Sequence, residues 1–206
     1  MKQNESVKTI YLVRHGHVQM PDYRKYYLGS TDLSLSETGK IQAEWQKNFF
    51  LDKNIEAVYH SPLMRCVQTA RMIADKTIPC ISVSALREIE MGQWEMVPME
   101  QVKKEQPEAY YLRGEQMDIF CPPDGENFAE CQKRSVKAFQ DLTDNQKADS
   151  SIMIVAHAGV NRCILSWILQ KPLKNLLAIP QAYACVTKLI EQDGIWQIVD
   201  YIECPV

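Results

Sequence analysis

The stretch SIMIVAH, residues 151–157, is almost wholly apolar until it stops at a histidine. A short run of this kind reads as a strand buried on both faces, and such strands belong to parallel sheets covered by helices on either side. Its flanks agree. DGENFAECQKRSVKAFQDLT (124–143) before it has a helical pattern with Phe128, Val136 and Phe139 among the apolar positions, and GVNRCILSWILQ (159–170) after it is helical again.

The alternation continues outward. KTIYLV (8–13), IEAVYH (55–60) and CISVS (80–84) read as strands. SETGKIQAEWQKNFFL (36–51) reads as a helix capped by Ser36, with Ile41, Trp45 and Phe49 at i, i+4 and i+8, and PLMRCVQTARMIADK (62–76) as a helix with Pro62 in its first turn. ACVTKLIEQDGIWQIVDYI (184–202) divides into two strands at Asp193-Gly194, a favoured hairpin dipeptide, and its last strand is a candidate sheet edge. Strands alternating with helices predict an α/β fold, a three-layer α/β/α sandwich with a mostly parallel sheet, whose ligands bind beyond the carboxyl ends of the strands. Residues 86 to about 125 break the rhythm with short helical pieces and Pro98, Pro107, Pro122 and Pro123, and are expected to form a cap-like insertion over the site. No linker or repeat divides residues 1–206, so one domain is expected.

Composition narrows the function. The chain has 206 residues, 46% hydrophobic and 24% charged, with a formal net charge of −3. With no Lys/Arg-rich run, it lacks the phosphate-neutralising surface that a nucleic-acid partner needs. The opening MKQNESVK has no apolar centre and no window is long and apolar enough for a membrane helix, so no membrane association and a cytoplasmic location are expected. Seven cysteines stand singly, without a C-x-x-C pair, and read as small apolar residues of a reducing compartment.

Three predicted strand ends carry basic or hydroxyl groups: LVRHG (12–16), VYHSPLMR (58–65) and IVAHAGVNR (154–162). If the strands are neighbours, Arg14, His15, Arg65 and His157 surround one point. The helix N-termini near Pro62 and Gly159 are expected to add free backbone N–H groups there, completing a site for a phosphoryl group. A neutral imidazole at such a point can attack phosphorus while the remaining cationic groups stabilise the equatorial oxygens, and that chemistry requires neither metal nor cofactor. A metal bound by His15 or His157 is not supported, because no ligand pattern accompanies either. The departing alkoxide needs a proton. LREIEMGQWE (86–95) supplies Glu88, Glu90 and Glu95, and in an extended segment Glu88 and Glu90 share one face, so spacing does not choose between them.

LVRHG, SPLMRCVQTA, LREIEMGQWE, PPDGENFAE and VAHAGVNR, in this order, resemble the motifs of the histidine phosphatase superfamily, the phosphoglycerate-mutase-like fold, and most closely its short bacterial phosphatases, the α-ribazole phosphatase type among them. The resemblance runs from about residue 8 to 190 and implies a sheet of about six strands. It implies that His15 is the phosphorylated nucleophile, that Arg14, Arg65 and His157 complete the phosphate pocket, and that Glu88, following Leu-Arg, is the proton donor. The substrate would be a small phosphomonoester, α-ribazole 5′-phosphate being one example. A mutase that returns the phosphoryl group to an acceptor, or an inactive phospho-ligand binder, are the alternatives.

The family commonly continues Arg-His-Gly with Glu-Thr and, a few residues later, Asn; here His17, Val18 and Pro21 occupy those places. The missing polar contact is expected from Gln19 or from the backbone of GSTD (29–32), which makes Ser30 and Thr31 substrate-binding candidates. Tyr26 and Tyr27, in the basic-aromatic run after the nucleophile loop, are candidates for a substrate rim.

Overall fold

The computed structural model describes residues 7–147 and 149–206. The opening stretch read above for a signal segment falls mainly at residues 1–6, outside the described residues. Strands and helices alternate as β1 (Lys8–Arg14), α1 (Glu37–Phe50), β2 (Ala57–His60), α2 (Met64–Ile73), β3 (Cys80–Ser82), α3 (Met99–Glu105), α4 (Pro107–Glu115), α5 (Phe128–Asp144), β4 (Ser151–Ala156), α6 (Ala158–Ile168), β5 (Val186–Gln192) and β6 (Ile195–Ile202). The six strands form one sheet in the order β3-β2-β4-β1-β5-β6. Strands β1, β2, β3 and β4 run parallel; β5 lies antiparallel beside β1, and β6 antiparallel to β5 forms the sheet edge.

Strand β4 lies inside the sheet, and its apolar run divides between two cores because successive side chains point to opposite faces. Ile152, Ile154 and Ala156 join one core with Ile10 and Leu12 of β1, under Phe128 and Phe139 of α5 and Val160 and Ile164 of α6. Met153 and Val155 join the other with Tyr11 and Val13, under Phe50 of α1 and Cys66, Ala70 and Ile73 of α2. Burying each such aliphatic side chain contributes roughly 1.5–3 kcal/mol, enough to fix which face each helix covers. No helix among the described residues is long and apolar enough to cross a membrane.

Helix α1 departs from expectation. Ile41 is exposed and Trp45 and Phe49 are half-buried, while Gln42 and Gln46 face inward. The reason is polar. Gln42 Oε1 accepts from the backbone N–H of His17 at 2.7 Å, and Gln46 Nε2 donates to the carbonyls of Arg14 and Ala184 at 3.0 Å each. These side chains satisfy backbone groups around the β1 terminus that would otherwise be buried without partners. Ser36 caps α1 as expected, accepting from Gly39 N–H at 3.1 Å. Contact is so close here that a Cβ on Gly16 would lie 2.4 Å from the Gly39 carbonyl oxygen, so neither backbone admits a side chain.

Helix α2 begins at Met64 rather than Pro62, because Leu63 takes an extended conformation (φ −69°, ψ 138°) and Ser61 Oγ accepts from Leu63 N–H at 3.3 Å. The 193–194 hairpin forms as predicted, with φ of 55° at Asp193 and 78° at Gly194. In the 86–125 segment Trp94 packs 5.0 Å from Tyr27 and 5.5 Å from Phe120, and Ile89, Met91, Val102 and Met117 are buried with it in the same core.

Candidate active site

Strands β1, β4 and β2 finish level with one another: Arg14 pairs with Ala156, and His60 with Val155. The residues that follow therefore meet. His15 leaves β1, Ser61 leaves β2 into α2 with Arg65 in its first turn, and His157 leaves β4 at the start of α6. The rings of His15 and His157 stand 5.1 Å apart, edge to face.

His15 is 3% exposed, and its Nδ1 lies 2.7 Å from the Gly16 carbonyl oxygen. That oxygen only accepts, so Nδ1 carries the proton and Nε2 the lone pair. His157 has the opposite tautomer. Its Nδ1 is 3.2 Å from Arg65 Nε, which only donates, and its Nε2 donates to Ser61 Oγ at 2.7 Å. Arg65 is buried and also donates to the carbonyls of Thr31 and Gly29, at 2.7 Å each. Arg14 donates through Nη1 to the Gln181 carbonyl at 2.5 Å and lies over the Tyr183 ring at 3.8 Å, while its buried Nε has no acceptor among the described residues.

Burial, followed by the charges of Arg65 and Arg14, holds the His15 pKa well below the usual imidazole range. Burial and then the Arg65 charge do the same at His157. Below pH 6.5 the unfolded chain takes up protons that these two folded rings refuse, so folding stability falls with pH down to their lowered pKa values. The slope approaches about 1.4 kcal/mol per pH unit for each ring. Urea unfolding between pH 7.5 and 5.5 should show this loss, reduced in His157→Asn; an unchanged midpoint would count against two neutral buried imidazoles.

Of the three carboxylates, Glu88 is the one that lines the cleft. It is 7% exposed and accepts from Ile89 N–H at 3.1 Å, Gly159 N–H at 3.1 Å and Val160 N–H at 3.3 Å. Gly159 suits this contact, since a Cβ there would lie 2.5 Å from Glu88 Oε1. Glu90 instead pairs with Arg87 at 3.1 Å. Glu95 accepts from the backbone N–H groups of Gly29, Ser30 and Thr31 at 2.8, 3.1 and 3.1 Å.

Several expectations are thereby corrected. The N-terminus of α6 is capped by Glu88, and Met64 N–H of α2 donates to Asp32 Oδ1 at 2.5 Å, so these N–H groups are not free for a ligand. The free N–H groups of a helix start need acceptors, and these carboxylates supply them. The 29–31 N–H groups are likewise occupied, and Ser30 and Thr31 are not among the residues lining the cleft. Gln19, Tyr26 and Tyr27 do line it; Tyr26 is bonded to Asp22 and Arg24, and Tyr27 is buried against Trp94.

The cleft has a volume of about 1010 Å³ and runs from Arg14, His15 and Arg65 to Arg113 and Met117 of the 86–125 segment. Two features escaped the sequence reading: Tyr183 lies 5.8 Å from His15, and Arg134 clamps the Glu88 loop through the carbonyls of Ala85, Arg87 and Glu88 and the carboxylate of Glu126. Arg162 of α6 also lines the cleft and donates to the Ile179 carbonyl at 2.9 Å. Tyr183 carries no local pattern. Arg134 sits in a helical stretch where a charged residue ordinarily faces solvent.

Comparison with known proteins places this geometry. The family model "Histidine phosphatase superfamily (branch 1)" matches residues 10–203. The 6-phosphofructo-2-kinase/fructose-2,6-bisphosphatase 1 of Mus musculus is 28% identical over 191 residues, covering 86% of this chain and 38% of that protein, so the chain spans about two fifths of such a relative. Among solved structures, YhfR of Bacillus stearothermophilus superposes with a TM-score of 0.86 at 26% identity, over 93% of this chain and 95% of that one. The alpha-ribazole phosphatase from Shigella flexneri gives 0.83 at 24% identity, over 92% and 94%, a likeness of fold.

Proposed function

The chain belongs to the histidine phosphatase superfamily (branch 1), and from that premise we propose that it hydrolyses a small phosphomonoester through a phosphohistidine on His15, in the cytoplasm. The observation that carries this reading is the His15 tautomer: a buried, neutral ring with its lone pair on Nε2 between two guanidinium groups. In the first step Nε2 bonds to phosphorus, the ester oxygen departs with its electron pair, and Glu88 gives that oxygen a proton. In the second, water attacks phosphorus, the P–N bond breaks, and Glu88 takes the proton back. Arg65, Arg14, whose buried Nε has no acceptor among the described residues, and His157 are the groups beside His15 that offset the charge spread over the transferring group. Gln19, Tyr26 and Tyr27 belong to the substrate side of the cleft, with Ser30 and Thr31 supporting it through the loop that Arg65 and Glu95 hold.

The relatives named above supply particular substrates for testing, α-ribazole 5′-phosphate and fructose 2,6-bisphosphate. Phosphate release from these and a wider panel of phosphomonoesters, with EDTA present, tests the reaction class. EDTA-resistant release supports it; activity that appears only with metal, or only as phosphotransfer dependent on 2,3-bisphosphoglycerate, overturns it.

Glu88 has its own signature. Glu88→Gln should lower kcat about 10²–10³-fold for alkyl phosphates, whose leaving oxygen needs a proton, and much less for p-nitrophenyl phosphate, whose leaving group departs as an anion. Equal losses on both would make Glu88 only the cap of α6.

A further inference from the structure

Helix α5 turns a cation inward at a place the substrate does not reach. Arg134 is not among the residues lining the cleft, and its side chain and that of Glu126 are only 19% and 15% exposed. Every arm of the guanidinium is engaged. Nε and Nη2 meet the two oxygens of Glu126 at 2.7 Å each, Nη1 donates to the carbonyls of Ala85 and Arg87 at 2.8 and 2.7 Å, and Nη2 reaches the Glu88 carbonyl at 3.2 Å. A planar fork can serve a carboxylate and backbone carbonyls together; a point charge cannot.

Glu126 is tied to the same stretch of backbone. Its N–H donates to the Glu90 carbonyl at 2.9 Å, and its Oε2 accepts from Glu90 N–H at 3.4 Å. Gly125 permits the approach, since a Cβ there would lie 2.8 Å from the Glu90 carbonyl oxygen. The stretch needs such support: a 3-10 turn at Ser84–Leu86 passes into extended backbone at Arg87, and its carbonyls must find donors elsewhere. The ion pair and its backbone bonds therefore hold residues 85–90 on both sides of Glu88, while the Glu88 carboxylate rests on the N-terminus of α6. An exposed ion pair would matter little, but this one is mostly withdrawn from water and its loss would strand three carbonyls.

We propose that Arg134, together with Glu126, is a positioning residue for the proton donor, fixing the 85–90 backbone so that the Glu88 carboxyl meets the leaving oxygen of the substrate. The inference rests on the hydrolase reading above and deepens it. Arg134 touches no reacting atom and moves no proton, so its effect is confined to the steps in which Glu88 acts.

The test measures kcat/KM, which reads the steps up to transfer onto His15, for p-nitrophenyl phosphate and for the best alkyl phosphate of the panel above. Arg134→Leu should lower it about 10–10²-fold on the alkyl phosphate and less than about threefold on p-nitrophenyl phosphate, whose leaving group needs no proton. Added to Glu88→Gln, it should cost less than about a further twofold on the alkyl phosphate, because a donor already absent cannot be misplaced. Arg134→Lys should regain part of the loss, and Glu126→Gln should show the same substrate dependence at smaller size; these two carry the comparison if Arg134→Leu does not fold. Equal losses on both substrates, or losses that multiply in the double variant, overturn the proposal and leave Arg134 a stabilising residue only. Amide hydrogen exchange reads the same placement without turnover: the N–H groups of Ile89, Gly159 and Val160, which hold the Glu88 carboxylate, should exchange about tenfold faster or more in the Arg134 variants, and unchanged exchange also overturns it. Failure of the hydrolase reading is separately visible, as absence of turnover on p-nitrophenyl phosphate by the wild type.

Discussion

His15→Ala should lower phosphate release by at least about 10⁴-fold while leaving the protein folded. The size follows from the lack of a substitute. His157 has both ring nitrogens engaged, by Arg65 Nε and by Ser61 Oγ. His17 bonds through Nδ1 to Ser36 Oγ at 2.8 Å and lies behind the Tyr183 ring, 5.1 Å away. The Cys66 thiol, 3.5 Å from His157, is fully buried, and that burial pushes its pKa up, away from the nucleophilic thiolate. The variant loses one short hydrogen bond to a neighbouring carbonyl and two ring contacts, a modest structural change. Initial rates with p-nitrophenyl phosphate, beside circular dichroism, measure both. A rate within tenfold of wild type would show that the phosphoryl group never resides on His15.

Arg65→Ala should do damage of two kinds, lowering kcat/KM about 10³-fold and stability by roughly 2–3 kcal/mol. Its guanidinium holds three acceptors at once: the Gly29 and Thr31 carbonyls and His157 Nδ1. Removing it leaves buried acceptors unpaired and frees the loop that Glu95 grips from the other side. Partial relief comes from losing a buried charge, which also depresses the pKa of His15 and His157; both rings should therefore titrate higher in the variant. Arg65→Lys should fail nearly as badly, because one ammonium cannot span three acceptors set by a planar fork. Thermal unfolding should shift down by roughly 4–12 °C. Inorganic phosphate, which should stabilise the wild type, should stabilise the variant far less. Near-normal turnover by Arg65→Lys would mean that charge alone matters and the fork geometry does not.

The sequence showed the frame because apolar runs end where chemistry begins. Buried strands at 8–14 and 151–156 require helices on both faces, and their last residues run directly into His15 and His157. What resisted reading was polar satisfaction in three dimensions. Period-two spacing put Glu88 and Glu90 on one face, and only the contacts with Arg87 and with the α6 terminus separate them. The N–H groups of 29–31 were expected to meet a ligand, yet Glu95, more than sixty residues away, takes them. The apolar stripe of α1 pointed outward because Gln42 and Gln46 were needed to hold the β1 terminus. Such long-range pairings have no local pattern to betray them, and neither does the Tyr183 ring that carries Arg14.

The most direct test of the account is to quench the enzyme during turnover of a labelled phosphomonoester in EDTA and map any phosphoryl group on the chain. An acid-labile, base-stable phosphoryl group on the His15 peptide, absent from His15→Ala, is the expected result. Steady turnover with no phosphoenzyme at any quench time, or a phosphoryl group on another residue, would contradict it.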